Sequence, residues 1–526
     1  MKVLLLHPDR DFDPEADLPG NAADLRQDLE LDRLLDVMAR NDEFLFGVCE
    51  HALLNGLRDP AQIRYRQEAL RDSLTQIDTV IGMYNIVFEA LAEERKHWLY
   101  RSSMYRPPAN RLIDRSISLL SLFLDALVRV RDLAAAHRAE FHSPAYLHLF
   151  DTLSTELSDT YVDTAREHLS RLRFAHGTHF SLRLEKGCGS TDYILRRANS
   201  TGWLDRLGQL ATRDADSYTF RIPDRDLTGL DALSELRGRA IMEVAETLNR
   251  STEHVTAFLR QLRVELGFYI GCFHLHRELH AKHEPLCYPT VADIGAHTMT
   301  CRGLYDPCLA LSVDAPVVGN DVDADAKTLI MVTGANQGGK STFLRSAGIA
   351  QLMMQAGMFV PATQFRANVR DGVYTHFKRE EDQTMTHGKF DEELVRMSEL
   401  IDHMSGDALL LCNESFASTN EREGSAIARD VIGALTDAGM KIYYVTHMYD
   451  LASSLHARGD DEHLFLRAER RDDGTRSFRI LAAPPLPTSF GDDVYRRIFG
   501  AELDAEQSPI AAFASVRKDD PCVWHY

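Results

Sequence analysis

The first 300 residues carry an apolar pattern with the spacing of amphipathic helices. One segment places its apolar side chains at i, i+3, i+4 and i+7, and these are Leu31, Leu34, Leu35 and Met38. Such side chains share one face of a helix and are predicted to be buried. A following helix is predicted from Pro60, because Asp59 supplies an N-cap and proline is favoured at the first helical position.

A long helical pattern begins near Leu233 and continues to about His283 without a proline. A helix of roughly fifty residues would be about 75 Å long at 1.5 Å per residue. Earlier helical stretches are predicted at about 111–137 and 145–173. A polar, glycine-containing region at about 185–235 interrupts the helical part. The length of the last helix favours a lever rather than a compact bundle.

After a transition at 284–327, rich in Pro, Gly and Asp, short apolar strands alternate with helices. Strands are predicted at 328–333, 373–377, 408–412 and 441–446. Helices are predicted between them at about 340–356, 391–404 and 421–438. This alternation is typical of an α/β arrangement with a mainly parallel sheet.

Composition narrows the class of protein. Hydrophobic residues make up 44% and charged residues 26% of the 526 residues, as in ordinary globular proteins. No apolar run approaches the roughly 20 residues of a membrane span. The first residues contain too short an apolar stretch for a signal peptide. The eight cysteines form no CxxC pair, so we predict reduced thiols in a cytoplasmic protein without membrane contact.

The net charge of −20 does not favour a protein that binds nucleic acid over its whole surface. The charge is uneven, however. Residues 161–240 contain 13 Lys plus Arg and 11 Asp plus Glu, a net of +2, which leaves −22 for the remainder. This region is therefore the candidate for contact with a polyanion, although mixed charge is also typical of any solvated surface.

The segment TGANQGGKST provides the strongest chemical signal in the chain. It fits the pattern GxxxxGK[ST] between a predicted strand and a predicted helix, as a phosphate-binding loop requires. Lys340 is predicted to contact the β- and γ-phosphates, and the Ser341 hydroxyl to bind Mg²⁺. The helix N-terminus adds a positive dipole end. The remaining residues predicted to shape the loop and bind the nucleotide are Gly334, Asn336, Gly338, Gly339 and Thr342.

Two further strand ends carry candidate catalytic groups. The apolar strand ALLLC is followed by Asn413 and Glu414. Glu414 is predicted to polarise the attacking water, and Asn413 to orient a water on Mg²⁺. An amide lacks the charge that helps to hold the ion, so weak Mg²⁺ affinity or slow turnover is expected. His447, after the strand KIYYVT, is predicted to sense the γ-phosphate.

These segments, in this order, resemble the MutS family of DNA mismatch repair ATPases. The loop TGANQGGKST is similar to the family's TGPNMGGKST, and AGMFVPA to its GSYVPA. Val318-Gly319-Asn320-Asp321 is similar to VPND, Thr446-His447 to TH, and the segment from Pro487 to Gly491 to SYG. Glu414 followed by Gly424 is similar to the family's DE and glycine. The helical segment LLNGLRDPAQIRYRQEALRDSL resembles the MutS core more weakly.

The resemblance implies a fold of class α + α/β. Residues 1–300 would form a helical core and lever domain with a small clamp insertion at about 185–235. Residues 301–526 would form an ABC-type P-loop ATPase domain with a mainly parallel sheet and a C-terminal helical dimerisation element. It further implies ATP and Mg²⁺ as ligands, a homodimer in which each site is completed by the partner, and lever helices that open or close a clamp on DNA.

Three departures from the family pattern qualify this expectation. The chain begins almost at the core, so we expect no mismatch-reading domain. Asn413 stands where the family has aspartate. The family's SGRSTF segment, which acts on the partner's site, corresponds to 386–390 and has lost its Ser-Thr pair, which leaves Lys389 as a substitute. These changes predict a divergent branch with slow hydrolysis.

Three functions remain open from the sequence. The favoured one is an ATP-gated dimeric clamp that binds duplex or branched DNA. The second is an ATP-driven switch that acts on a protein or RNA complex, favoured by the acidic net charge. The third is a nucleotide-binding scaffold with little hydrolysis, favoured by Asn413. The bound nucleic acid, the pathway and the identity of the partner subunit are not determined by the sequence.

Overall fold

A computed structural model describes most of the chain. The described residues are 1–99, 109–174, 179–184, 190–196, 223, 226–379, 388–471 and 475–487. They combine helices with β-sheets, which confirms the predicted mixture of α and β structure at this level. Two compact units are present. The first comprises Met1–Ala16, Met38–Ala52 and Arg64–His274, and the second comprises Asp17–Val37, Leu53–Ile63 and Leu275–Tyr526.

The N-terminal half is mainly helical, as predicted. Its helices in chain order are α1 (Ala22–Asp28), α2 (Leu31–Ala39), α3 (Glu43–Leu54), α4 (Pro60–Thr75), α5 (Ile77–Leu99), α6 (Ala109–His137), α7 (Pro144–Glu156), α8 (Asp159–Leu172) and α9 (Leu227–Ala281). Between α8 and α9, strands β1 (His179–Leu184) and β2 (Ser190–Arg196) pair antiparallel. The rest of the predicted clamp insertion at 185–235 lies largely outside the described residues.

Local sequence signals explain two of these helices. The four apolar residues of α2 identified by their spacing are completely buried, as a single apolar face requires. At the start of α4, Asp59 Oδ1 accepts a hydrogen bond from the backbone N–H of Ala61 at 2.8 Å. Both helices are therefore confirmed where the sequence predicted them.

Helix α9 confirms the predicted long helix and has 55 residues. At 1.5 Å per residue this corresponds to about 80 Å. Within the first unit, the buried carboxylate of Glu265 on α9 accepts hydrogen bonds from the backbone N–H groups of Leu5, at 2.6 Å, and Phe12, at 3.0 Å. Because a buried carboxylate requires such partners, Glu265 fixes the N-terminal segment to this unit.

The second unit contains the remaining strands and helices. The strands are β3 (Thr290–Ala292), β4 (Met299–Leu304), β5 (Asn320–Asp323), β6 (Leu329–Gly334), β7 (Gln364–Asn368), β8 (Val373–Phe377), β9 (Leu409–Asn413), β10 (Lys441–Val445), β11 (His463–Arg470) and β12 (Arg476–Ala482). The helices are α10 (Pro307–Ser312), α11 (Lys340–Gln355), α12 (Lys389–His403), α13 (Glu421–Asp437) and α14 (Tyr449–His456). The four strands and three helices predicted after residue 328 are all present.

The main sheet has six strands in the order β12-β11-β6-β10-β9-β8. Only β12 is antiparallel to its neighbour, so the predicted mainly parallel sheet is present. Helix α11 packs closely against β9 at Gly348, where there is no room for a side chain. A Cβ added there would lie 2.5 Å from Leu411 Cδ1. Residues of α12, α13 and α14 form a buried cluster with alternate side chains of β6, β9 and β10. Helices therefore cover both faces of the strands that lead to the candidate site.

A smaller sheet, in the order β3-β7-β4-β5, completes the second unit. Residues 17–37 also belong to this unit, although they precede most of the first unit in the chain. Asn21 Nδ2 donates to Val373 O at 2.7 Å, which attaches the segment to β8. The boundary predicted near residue 300 stays a prediction, and the structure adds that part of the N-terminal sequence packs with the C-terminal half.

Two other predictions concern segments of which little is described. The predicted dimerisation element, beginning near Pro487, lies outside the described residues beyond that proline, and so do Thr386 and His387 of the segment predicted to act on the partner. Across the parts of the chain that are described, no helix has the length and apolar character needed to cross a bilayer.

Candidate functional site

The glycine-rich loop joins the end of β6 to the start of α11. Gly334 and Gly339 have positive φ angles of 107° and 89°, which favour glycine over other residues. Gly338 is restricted by space instead. A Cβ there would lie 2.8 Å from both Ala335 O and Ala468 Cβ. Glycine at these positions allows the backbone to turn tightly before the helix, with Gly339 as the N-cap residue.

The Lys340 side chain is buried and lies along this loop. Its Nζ donates hydrogen bonds to Gly334 O at 3.0 Å and Ala335 O at 3.2 Å. Burial lowers the pKa of Lys340, and the nearby Glu414 carboxylate opposes this effect. Among the described residues, the Lys340 ammonium group has two neutral carbonyl oxygens as hydrogen-bond partners, and a bound anion would further offset its desolvation.

The predicted metal-binding residues lie side by side. Ser341 Oγ donates a hydrogen bond to Asn413 Oδ1 at 3.0 Å, although 72 residues separate them. The proximity arises because β9 and β6 both pair with β10 in parallel, so their carboxyl ends meet at one edge of the sheet. The two side chains present neutral oxygen atoms, which are acceptable ligands or water acceptors for Mg²⁺.

Glu414 and His447 form a second pair at the same edge. Glu414 follows β9 with a positive φ of 57°, and its carboxylate is hydrogen-bonded to His447 Nδ1. This hydrogen bond is the main reason why the pKa of His447 is raised above its usual 6.5, and partial burial opposes the shift. The arrangement can hold a proton between an imidazole and a carboxylate, as general acid–base chemistry requires.

We expect the hydrogen-bonded pair of Glu414 and His447 to make a contribution to stability that depends on pH. A histidine with a raised pKa in the folded state stabilises the protein fully below its unfolded pKa, and this contribution is lost as pH rises through the folded pKa. The melting temperature of His447→Gln should therefore be lower than that of wild type at about pH 6 and should approach the wild-type value by about pH 9. Thermal unfolding across this range measures the difference, with the exposed His254→Gln as control. A difference independent of pH would contradict the pairing.

A cavity of about 630 Å³ opens beside the loop, within the usual range of small-molecule sites. The loop residues predicted to bind nucleotide line it, except Gly334, and so does Glu414. Apolar side chains also line it, among them Leu309, Val313 and Phe343. The cavity thus combines a polar end at the loop with an apolar part, as recognition of a nucleotide requires.

The structure adds two residues that the sequence interpretation missed. Arg476 Nε, on β12, donates to Asn336 O in the loop at 3.3 Å. Phe478, also on β12, lines the cavity and has a positive φ of 59° and a half-exposed side chain. No local motif marks these positions, because only the pairing of β12 with β11 and of β11 with β6 brings them to the loop.

The predicted site residues therefore fall into one region, with Lys340, Ser341, Asn413, Glu414 and His447 joined by the contacts above. Lys389 is the first residue of α12, and its predicted action on a partner's site stays a prediction. In the described part of the chain, no group of three or more His, Cys, Asp or Glu side chains is arranged to hold a metal ion.

Comparisons with known proteins match two regions of this chain. Residues 58–282 match the family described as MutS2 N-terminal domain, and residues 330–500 match the family described as MutS domain V. The second region contains the glycine-rich loop, Asn413, Glu414 and His447. The two matches together extend over most of the chain, on both sides of the transition at 284–327.

Individual relatives are similar over a shorter stretch. "DNA mismatch repair protein MutS" of Desulforamulus reducens is 33% identical over 190 residues, which are 33% of this chain and 22% of that protein. "DNA mismatch repair protein MutS 2" of Halobacterium salinarum is 30% identical over 173 residues, 33% of this chain and 20% of the relative. "Probable DNA mismatch repair protein Msh6" of Drosophila melanogaster is 29% identical over 172 residues, 32% and 14% respectively. The matched stretch thus spans about a fifth or less of each relative.

Proposed function

Because the chain belongs to the MutS family, we propose that it is an ATPase whose nucleotide site is the cavity beside the loop at 334–341. The single observation that supports this most is the convergence of Lys340, Ser341 and Glu414 on one cavity. In this proposal the loop is a P-loop within an ABC-type ATPase domain. The glycines admit the phosphates to the backbone N–H groups, and Lys340 exchanges its two carbonyl partners for phosphate oxygens.

The side chains at the loop fit a magnesium ion. Ser341 Oγ and Asn413 Oδ1 are 3.0 Å apart, so both are within reach of one ion or its bound waters. Mg²⁺, when bound, would neutralise charge on the phosphates. Asn413 contributes an oxygen atom but no negative charge, and Glu414 supplies the nearby carboxylate. The donor set therefore fits Mg²⁺ with a weaker electrostatic hold than an aspartate would give.

Glu414 is the proposed residue that polarises the attacking water. Its carboxylate reaches the cavity while its hydrogen bond with His447 holds its orientation. The water's proton would pass to Glu414, and the raised pKa of His447 allows the imidazole to remain protonated beside it and face the γ-phosphate. In this arrangement, loss of the γ-phosphate would change the position of His447, and the hydrogen bond between His447 and Glu414 would pass that change to the carboxylate.

Restoring a charge at the metal position provides a direct test of these roles. Asn413→Asp is expected to lower the Mg²⁺ concentration needed for half-maximal ATP turnover by about tenfold, because a carboxylate binds Mg²⁺ more strongly than an amide. The measurement is ATP hydrolysis against Mg²⁺ concentration. Asn85→Asp, at an exposed position of α5 that does not line the cavity, is the control for added charge. An unchanged Mg²⁺ dependence would show that Asn413 does not face the ion.

We further propose that the protein is a homodimeric clamp that binds duplex or branched DNA under the control of ATP. Helix α9, with 55 residues, has the length expected of a lever. The stretch 161–240, with 13 Lys plus Arg and 11 Asp plus Glu, includes the hairpin β1–β2, where phosphate contacts would be placed. The printed names of the relatives describe DNA mismatch repair proteins, and this supports DNA over other polyanions.

Two alternatives are each favoured by one observation. The net charge of −20 favours an ATP-driven switch that acts on a protein or RNA complex. The amide at Asn413 favours a nucleotide-binding scaffold with little hydrolysis. Both keep the nucleotide site, and they differ in the steps that come after the nucleotide has bound.

Steady-state ATP hydrolysis with and without duplex and branched DNA distinguishes these functions. Lys340→Ala serves as the blank for contaminating activity. We expect DNA to change the rate of ATP turnover, and this result would support the clamp. Turnover indifferent to DNA would favour the switch, and turnover no greater than that of Lys340→Ala would favour the scaffold.

A further inference from the structure

The turn that contains Glu414 has a strained backbone, and buried polar side chains of the neighbouring strands form hydrogen bonds with it. Both Glu414 and Phe416 have positive φ angles, of 57° and 62°. For residues other than glycine this backbone region is unfavourable, because Cβ lies too close to the following carbonyl oxygen. Such a conformation therefore persists only where surrounding contacts enforce it.

Ser415, between the two strained residues, provides the main connection. Its side chain and its carbonyl are both bound from neighbouring strands. Ser415 Oγ lies 2.8 Å from Nδ1 of His376 on β8 and 2.7 Å from the His376 carbonyl oxygen. Tyr444, on β10, donates its hydroxyl to Ser415 O at 2.6 Å. The residue beside Glu414 is therefore clamped between two strands of the sheet.

The protonation of His376 is determined by its surroundings. The side chain is completely buried, and burial lowers its pKa to about 4, so the ring is neutral near pH 7. Nε2 lies 3.0 Å from the carbonyl oxygen of Glu393 on α12. A carbonyl only accepts, so the single ring N–H must be on Nε2. Nδ1 is then an acceptor, and it shares the single Ser415 hydroxyl hydrogen with the His376 carbonyl oxygen, to which Ser415 also donates.

Two further contacts join this turn to its neighbours. The Phe416 ring packs against His376 with centroids 5.6 Å apart. Ser418 Oγ donates to Glu393 Oε1 at 2.7 Å. His376 therefore contacts both the strained turn and the helix α12, whose first two residues belong to the segment 386–390 predicted to act on a partner's site.

We propose that His376 is a positioning residue for Glu414, which acts through the Ser415 hydroxyl to hold the turn in its left-handed conformation. This rests on the proposed role of Glu414 as the residue that polarises water. Tyr444 acts on the same turn from the opposite side, through the Ser415 carbonyl. His376 and Tyr444 are both buried beneath the turn and are bonded to Ser415 rather than to the loop, so we expect their effect on turnover rather than on nucleotide binding.

Substitutions at His376 separate its two side-chain hydrogen bonds, and both variants keep the main-chain carbonyl oxygen that also accepts from Ser415. In His376→Asn, the side-chain amide oxygen replaces Nδ1 and still accepts from Ser415. In His376→Gln, the longer amide replaces Nε2 and bonds only to Glu393 O. We expect His376→Gln and Ser415→Ala to lower kcat for ATP by about tenfold with nucleotide affinity unchanged, and His376→Asn to stay within about threefold of wild type.

Two other variants support the comparison. Tyr444→Phe removes the second anchor of Ser415 without altering His376 and should also lower kcat. Ser425→Ala is the matched control, because Ser425 is buried in the same unit and its hydroxyl has no hydrogen-bond partner among the described residues. It should leave kcat unchanged. Equal losses in His376→Asn and His376→Gln would overturn the proposal, as would losses confined to nucleotide affinity.

Hydrogen exchange tests the same inference without turnover. The backbone N–H groups of Glu414 and Ala417 donate to Val445 O and Glu414 O, so their protection reports on the turn. Faster exchange across residues 413–419 is expected in nucleotide-free Ser415→Ala and His376→Gln, but not in Ser425→Ala. Unchanged exchange would overturn the inference even if wild type hydrolyses ATP. A wild type without turnover would instead contradict the proposed function, and the exchange data would still decide on His376.

Discussion

Replacing Lys340 with alanine is expected to abolish measurable nucleotide binding. The Lys340 ammonium group is buried at the loop, with Gly334 O and Ala335 O as its hydrogen-bond partners. Truncating one partner of a buried, hydrogen-bonded charge pair costs about 2–5 kcal/mol, which raises Kd at least about thirtyfold. Titration with a fluorescent ATP analogue measures this change.

A lysine elsewhere in the same unit provides the control for Lys340→Ala. Lys327 Nζ donates to Asp461 O and does not line the cavity, so Lys327→Ala should bind nucleotide as wild type does. Thermal unfolding should show that Lys340→Ala remains folded, because the loop loses only the hydrogen bonds of Lys340 to the two neutral carbonyl groups of Gly334 and Ala335. Nucleotide affinity within about threefold of wild type would refute the proposed phosphate site.

Glu414→Gln is expected to retain nucleotide affinity and to lose at least about a hundredfold in turnover. General base catalysis contributes about 10²- to 10⁴-fold, and a neutral amide cannot accept the proton of the attacking water. The glutamine keeps the shape of the side chain and preserves the cavity. Single-turnover hydrolysis and nucleotide titration together separate the loss of chemistry from a loss of binding.

The same variant tests the proposed dimer. If each site is completed by a partner subunit, Glu414→Gln should accumulate as a dimer with ATP bound, which light scattering after size exclusion would detect. Glu399→Gln, on the exposed face of α12, is the matched control and should behave as wild type. Normal hydrolysis by Glu414→Gln would show that another group activates the water.

Several elements were predictable because their signals are local. The strands β6, β8, β9 and β10 are short segments rich in apolar and β-branched residues, and the loop between β6 and α11 has glycines where its backbone turns. The polar residues Asn413 and Glu414 at the end of β9 could likewise be recognised from the sequence as candidate site residues. The roles given to these residues stay predictions, but their meeting at one edge is a consequence of parallel strands, which end on the same side of a sheet.

Other features had no signal in the sequence. Strands β11 and β12 were not predicted, and with them Arg476 and Phe478 were missed. The pairing of His376 with Ser415 joins residues 39 positions apart that belong to no recognised motif. The attachment of residues 17–37 to the C-terminal unit was also unexpected. Each of these depends on which strand or helix lies beside another, and local periodicity carries no information about neighbours distant in the chain.

The sequence by itself determined the helical first half, the strands of the parallel sheet, the glycine-rich loop and the family. Only the tertiary structure decided how the strands are ordered, which side chains meet, and what holds Glu414 in its strained turn. The physical reason is that secondary structure and tight turns depend on side chains a few residues apart. Contacts such as Ser341 with Asn413, or His376 with Ser415, form only when the burial of apolar surface brings distant strands into one sheet.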